Sequence, residues 1–191
     1  MRARVSTSTG VELCNEAGAV VCRIEGLALK RLERWVEGTR LAIPEGDGFR
    51  LAIPDHGALA DMRLQAVPRR RPAAGEVEIR VAAAAVNFRD VLYALGVLSN
   101  HNDTPVGSEC AGTVVEVGEG VADLHRGDEV VALAAGSMAS RVTVAQELVF
   151  PKLPGLSMEE AAAIPIVFLT AYYGLHRLAK IQAGELSLIH I

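Results

Sequence analysis

Two short segments hold the residues best suited to chemistry: Asn87-Phe88-Arg89-Asp90 and Gly107-Ser108-Glu109-Cys110-Ala111-Gly112. An Asn carboxamide donates and accepts hydrogen bonds without carrying charge, and an Arg guanidinium pairs with carboxylates through a planar fork. Brought together, these residues could bind a neutral polar group or form a buried Arg–carboxylate network that fixes a strand–helix junction. Each segment also has a purely structural meaning. Asn87 suits a helix cap, and Gly107 and Gly112 suit a tight turn. A catalytic metal is poorly supported, because Cys110 and the five histidines, at positions 56, 101, 125, 176 and 190, are scattered rather than set at ligand spacing.

These residues need a frame of strands. Gly75 opens Glu76-Val77-Glu78-Ile79-Arg80-Val81, whose period-two alternation predicts a strand with one apolar face. Residues 49–53, 62–67, 113–117, 129–133 and 140–144 read as further strands, with turns at Gly118, Gly120, Gly127-Asp128 and Gly136. Residues 87–95 read as a short helix ended by Gly96, with Tyr93 packing into the core. Ser157-Met158-Glu159-Glu160 is a capping box that starts a helix running to Pro165. Residues 166–178 follow as a second apolar helix, and residues 186–191 look like the opening of a buried strand. Many short strands with glycine turns imply a small barrel or sandwich.

Toward the N-terminus, residues 1–32 read as two strands around a turn at 15–18, and the polar stretch 33–47, with the single Trp35, suits a linker. Half of the 191 residues are hydrophobic and 22% are charged, a globular composition in which only 4% are aromatic, so Ala, Val, Leu and Ile must build the core. A net charge of -4 argues against nucleic acid as a partner. The run Arg69-Arg70-Arg71, between Pro68 and Pro72, reads as a solvated turn. Apolar runs fall short of the ~18 residues that span a bilayer. Residues 1–15 lack a signal-peptide core, and Cys14, Cys22 and Cys110 fit reduced thiols, so a cytoplasmic protein is expected.

In order along the chain, these segments resemble the medium-chain dehydrogenase/reductase superfamily. The matching motifs are Gly75-Glu76-Val77, Val86-Asn87-Phe88-Arg89-Asp90, Gly107-Ser108-Glu109-Cys110-Ala111-Gly112, Val117-Gly118-x-Gly120-Val121, Gly127-Asp128, Ala161-Ala162-Ala163 and Thr170-Ala171-Tyr172-Tyr173. Within the superfamily the chain is most similar to the zinc-free enoyl reductase domain of type I polyketide synthases, from about Phe49 to His190. Gly18-Ala19-Val20-Val21 and Arg23-Ile24-Glu25-Gly26-Leu27-x-Leu29-Lys30-Arg31 resemble the last strands of a dehydratase domain.

The resemblance implies a mainly β fold with a few helices (α+β), a partial GroES-like β-barrel that ends at the first strand of the nucleotide-binding Rossmann domain. It implies dehydratase-like strands at 1–32, a linker at 33–47, the GroES-like substrate domain at 48–184, and the start of the nucleotide-binding domain at 185–191. The implied reaction is NADPH-dependent reduction of a trans-2-enoyl thioester on an acyl carrier protein, with hydride to the β-carbon and a proton to the α-carbon. Asn87 would be catalytic and would contact the cofactor NADP(H), and Thr170 would contact its nicotinamide end. Arg89, Asp90 and Glu109 would support the cleft. Zinc-dependent relatives carry a Cys where Asn87 stands and a His where Ser108 stands, so a metal-free reaction is implied. Many polyketide enoyl reductases carry a proton-donating Tyr where Leu98 stands. The phosphate-cradling loop would follow the last residue, so the 191 residues alone are expected to be inactive. The implied partners are dehydratase and ketoreductase domains in the same chain and a second copy in a homodimer, with neither nucleic acid nor membrane. A free-standing zinc-free quinone oxidoreductase, or a barrel that only binds or oligomerises, are the alternatives.

Overall fold

The computed structural model describes residues 2–7, 10–14, 20–25, 41–53, 62–98, 105–182 and 184, the first three segments through their backbone. Trp35, most of the expected linker, the 26–31 part of the dehydratase-like match, His56, His101, His190 and the expected strand at 186–191 lie outside the described residues. The chain divides into two compact units, residues 1–39 with 180–191, and residues 40–179.

In the first unit, β1 (Arg2–Thr7), β2 (Gly10–Cys14) and β3 (Val20–Glu25) form an antiparallel sheet in sequence order. The expectation of two strands is therefore corrected to three. Arg2, Arg4, Ser6 and Thr7 looked like breaks in an apolar run, but they alternate with Ala3 and Val5. Pairing with β2, in register Ala3↔Leu13 and Val5↔Val11, completes the ladder.

The second unit is mostly β, a partial barrel built on one five-stranded sheet. Its strands are β6 (Glu76–Ala84), β7 (Glu109–Val117), β8 (Glu129–Leu133), β9 (Arg141–Ala145) and β10 (Val149–Pro151), in the order β10-β8-β7-β6-β9. A hairpin of β4 (Phe49–Ala52) and β5 (Arg63–Ala66) curls against the β9 end. There the amide of Leu51 donates to the Met138 carbonyl at 2.7 Å, and that of Ser140 to the Phe49 carbonyl at 2.8 Å. The core is aliphatic, as the scarcity of aromatics requires: Val77, Ile79, Val114, Val130, Ala132, Val142 and Val144 are buried on one face. β-Branched side chains fit such a pleated surface, and their removal from water drives the sheet to curl around them.

β7 begins four residues earlier than the expected 113, at Glu109, and thereby takes the chemistry-bearing segment into the sheet. Cys110 is fully buried within it, opposite Ala132 of β8 and Ala84 of β6. Burial first, and then the charge of neighbouring Glu109, push its thiol from 9.0 up to about 12. At pH 8 that lowers the thiolate fraction about a thousandfold. In the native chain, iodoacetamide should leave Cys110 unmodified while alkylating it in denaturant. Peptide mass spectrometry distinguishes this cysteine from Cys14 and Cys22, and rapid native labelling of Cys110 would contradict its burial.

The alternation of β6 hides one exception. Glu78 points away from the core with Glu76 and Arg80, yet it is 1% exposed. Arg69 covers it from a run whose three arginines all stay exposed, in keeping with the expected solvated turn. Arg69 donates from Nε and Nη2 to both Glu78 carboxylate oxygens, at 2.9 and 2.6 Å, and Nη2 also reaches Glu116 at 2.6 Å. Arg70 makes a two-point pair with Glu76, at 2.8 Å through each nitrogen.

Three helices complete the described unit. α1 (Phe88–Ala94) has Asn87 as its N-cap, and α2 (Met158–Ala162) carries the expected capping box at Ser157 and Glu160. Ala161 and Ala162 of α2 pack on Ala111 of β7, where small side chains let helix and sheet approach closely. α3 (Pro165–Tyr172) starts on proline, whose missing N–H costs nothing at that position. The expected single helix over 166–178 changes character at Tyr173. Residues Tyr173–Leu178 form a π-helical segment, closed by the Ala179 amide on the Gly174 carbonyl at 2.9 Å. Among the described residues, no helix is long and apolar enough to cross a membrane.

Candidate functional site

Asn87 stands where β6 hands over to α1, and both its backbone and its side chain are held. Its main-chain amide donates to Asp90 Oδ2 at 2.9 Å, the reach-back of a first-turn carboxylate to an N-cap. The other oxygen of Asp90 accepts the Gly107 amide at 3.1 Å. Asp90 is buried, and it links the start of α1 to the turn that precedes β7. Gly107 adopts φ +98, and a Cβ there would lie 2.6 Å from the Met138 amide nitrogen, so glycine is required twice over.

The side chain of Asn87 donates from Nδ2 to Glu109 Oε1 at 3.0 Å. Glu109 is 1% exposed, and its second oxygen accepts the Ile166 amide at 2.7 Å. One carboxylate from β7 thus joins the Asn87 side chain to the first turn of α3, whose N-cap Ile164 offers no side-chain acceptor. Thr170 lies four residues beyond Ile166, one turn along the same helix face, and is exposed. Its hydroxyl has no hydrogen-bond partner among the described residues. The second N–H of Asn87 has no hydrogen-bond partner among the described residues, and the capping box sets its carbonyl oxygen toward the Asp90 amide.

The structure therefore links Asn87, Asp90 and Glu109 and sets Thr170 a helical turn from the linkage. Arg89 departs from expectation. It is exposed and pairs with neither carboxylate, but donates to Ser108 Oγ at 2.6 Å, and its guanidinium carbon lies 5.9 Å from the centre of the Tyr93 ring. The helix turns Arg89 outward while Asp90 turns in, so the buried network contains carboxylates, amides and no guanidinium. Tyr93 is accordingly half-buried under Arg89 rather than a core residue. Leu98 follows the end of α1, where the Val97 amide bonds the Leu92 carbonyl and the Gly96 amide bonds the Tyr93 carbonyl, with Gly96 at φ +71. It is 37% exposed. The sequence reading missed the Ile166 amide, a backbone donor whose only signal was Pro165 at the start of a helix.

Among the described residues, no group of three or more His, Cys, Asp and Glu side chains is placed to hold a metal ion. A groove of about 480 Å³, lined by Phe49, Leu51, Leu64, Ala83, Ser137 and Met138 among others, lies between the β4–β5 hairpin and β6 and holds none of the residues above.

The family model for the alcohol dehydrogenase GroES-like domain matches residues 73–162. The chain is 45% identical over 153 residues to a phenolphthiocerol synthesis polyketide synthase type I, Pks15/1, of Mycobacterium bovis, a match covering 78% of this chain and 7% of that protein. The chain spans only 7% to 9% of the length of this and two other curated polyketide synthases it matches. Among solved structures, the CurK enoyl reductase superposes with a TM-score of 0.68 at 40% identity, over 72% of this chain and 45% of that one. Escherichia coli quinone oxidoreductase complexed with NADPH superposes with a TM-score of 0.61 at 28% identity, over 69% and 41%.

Proposed function

Residues 73–162 belong to the alcohol dehydrogenase GroES-like domain family, and from that premise we propose that the chain supplies the substrate-side half of a polyketide synthase enoyl reductase. The reaction is reduction of a trans-2-enoyl thioester carried on an acyl carrier protein. The observation that carries this reading is the held carboxamide of Asn87, tied through Glu109 to the helix bearing Thr170. Residues 1–32 would be the closing strands of a preceding dehydratase domain and 33–47 the linker to residues 48–184. A ketoreductase domain in the same chain, a homodimer and a cytoplasmic location complete the reading.

The groups present fit the nicotinamide end of NADP(H). Asn87 and Thr170 are neutral, and between them they offer an N–H and a hydroxyl that both donates and accepts, which suit a carboxamide rather than a phosphate. When bound, the cofactor supplies the hydride for the β-carbon. The remaining steps fall to the protein. Reduction builds negative charge on the thioester oxygen, and a neutral donor such as the free N–H of Asn87 can meet it without the cost of burying a charge. Asp90 and Glu109 hold that donor in place, so little reorganisation is needed as charge develops. Leu98 has no proton to give, so the α-carbon proton comes from another group or from water.

The test is a polypeptide in which residues 1–191 continue into a nucleotide-binding domain, assayed by NADPH oxidation against a crotonyl thioester of pantetheine and against a benzoquinone. Consumption with the thioester and a saturated acyl product are expected. Turnover of the quinone alone would favour the quinone oxidoreductase reading, and turnover of neither would overturn both.

A further inference from the structure

We propose that Glu109 is a positioning residue that fixes the polarity of the Asn87 carboxamide and couples it to α3. This rests on the reading of Asn87 as a ligand-facing group, but its decisive test does not. A carboxamide has two ends of nearly equal shape, and either could face β7. A carboxylate only accepts hydrogen bonds, so Oε1 selects the nitrogen of Asn87 and turns the carbonyl oxygen away. Oε2 is committed to Ile166, a backbone N–H that cannot be reversed. With the carboxylate 1% exposed, water does not substitute readily for either donor. Asp90 holds the backbone of the same residue and its amide faces the Asn87 carbonyl oxygen across the capping box, so a half-turn of the terminal amide is opposed from both ends, with Glu109 holding the nitrogen.

The argument makes an asymmetric prediction for Glu109→Gln, which changes one oxygen to NH₂ and almost nothing in shape. A Gln at position 109 cannot accept from both partners. Because the Ile166 amide is fixed, the Gln oxygen stays on it, and its nitrogen then donates to Asn87 Oδ1. The Asn87 carboxamide turns over and presents its NH₂ where its oxygen had been.

The experiment uses the full 191-residue chain with ¹⁵N-labelled asparagine and isoleucine. In Glu109→Gln, hydrogen exchange at the Asn87 side chain should rise at least tenfold, while that at the Ile166 amide changes less than threefold. Unchanged Asn87 signals, or loss of protection at Ile166 with Asn87 intact, would overturn the proposal. If the variant fails to fold, the wild type decides. One of the two Asn87 side-chain protons, the one on Glu109, should exchange at least tenfold more slowly than an exposed carboxamide's, with the Ile166 amide protected as well, and a freely exchanging Asn87 side chain refutes the linkage.

Joined to a nucleotide-binding domain, Glu109→Gln should lower kcat at least tenfold with the KM for NADPH changed less than threefold. In the double variant Asn87→Asp with Glu109→Gln, the new Gln nitrogen donates to the new carboxylate, so melting temperature should recover while kcat does not. Recovery of kcat together with stability would reduce Glu109 to a structural part. If no enoyl thioester is reduced by the parent protein, the proposed function fails, and the labelling result still stands or falls by itself.

Discussion

In an enoyl reductase that contains these residues and a nucleotide-binding domain, Asn87→Ala should lower turnover of an enoyl thioester by about 10²–10³-fold, the scale for removing a donor aimed at developing charge. NADPH affinity should change by much less, about threefold or under, because most of the cofactor's contacts lie elsewhere on such a protein. The pattern to look for is a parallel fall in kcat and kcat/KM, the mark of an interaction made mainly in the transition state. A second effect accompanies it. The Ala variant removes the donor to Glu109 Oε1 and leaves a buried acceptor unmet, at a cost of about 1–3 kcal/mol. Rates must therefore be compared well below the variant's melting temperature. Asn87→Asp separates the two effects differently, since it sets a carboxylate against Glu109 and should lower stability more than Ala does. Unchanged kinetics in a folded Asn87→Ala protein would remove this residue from the reaction.

Much of the frame behind this site was legible in the sequence, and for identifiable reasons. The alternation from Glu76 to Val81 marks a strand, and the glycines at 120, 127 and 136 mark turns by a positive φ that is a local backbone need. The Ser157 capping box and the Gly96 stop follow from local backbone needs in the same way. Residue types singled out Asn87, Asp90 and Glu109, but not how they are wired together. Arg89 beside Asp90, with Glu109 at hand, suggested charge pairing by residue type. The structure instead satisfies both carboxylates with amides: Asn87 N and Gly107 N for Asp90, and Asn87 Nδ2 and Ile166 N for Glu109. Backbone donors are the same at every residue, so nothing in the sequence advertises them. Glu78 shows the converse. Its place in the alternation gave the correct outward direction, and only the fold of Arg69 across it made it buried.

A large loss of stability is expected at Gly112, and its cause lies in the closeness of two backbones. Gly112 pairs with Val81 across β6 and β7, next to a register shift between Val81 and Ala83. A Cβ at this position would fall directly onto the Arg80 carbonyl oxygen and within 2.9 Å of Ile79 Cγ2. The carbonyl belongs to the central ladder, and Ile79 is a fully buried core residue, so neither can yield by rotating a flexible chain end. Gly112→Ala must open the β6–β7 ladder or shift the core, and overpacking of that kind costs about 1–3 kcal/mol before any ladder bonds are lost. A total above about 3 kcal/mol is expected, which would unfold a marginal domain. Gly120→Ala is the matched control. That residue, unlike Gly112, needs a left-handed backbone, with φ +82, and a Cβ there meets nothing within 4 Å. Only the conformational penalty of about 1–2 kcal/mol applies. Hydrogen exchange at the amides of Ile79 and Val114 reports this unit separately from the N-terminal sheet. Protection there should collapse in Gly112→Ala and persist in Gly120→Ala, and equal losses in the two would overturn the close approach of β6 to β7 as the reason for glycine at 112.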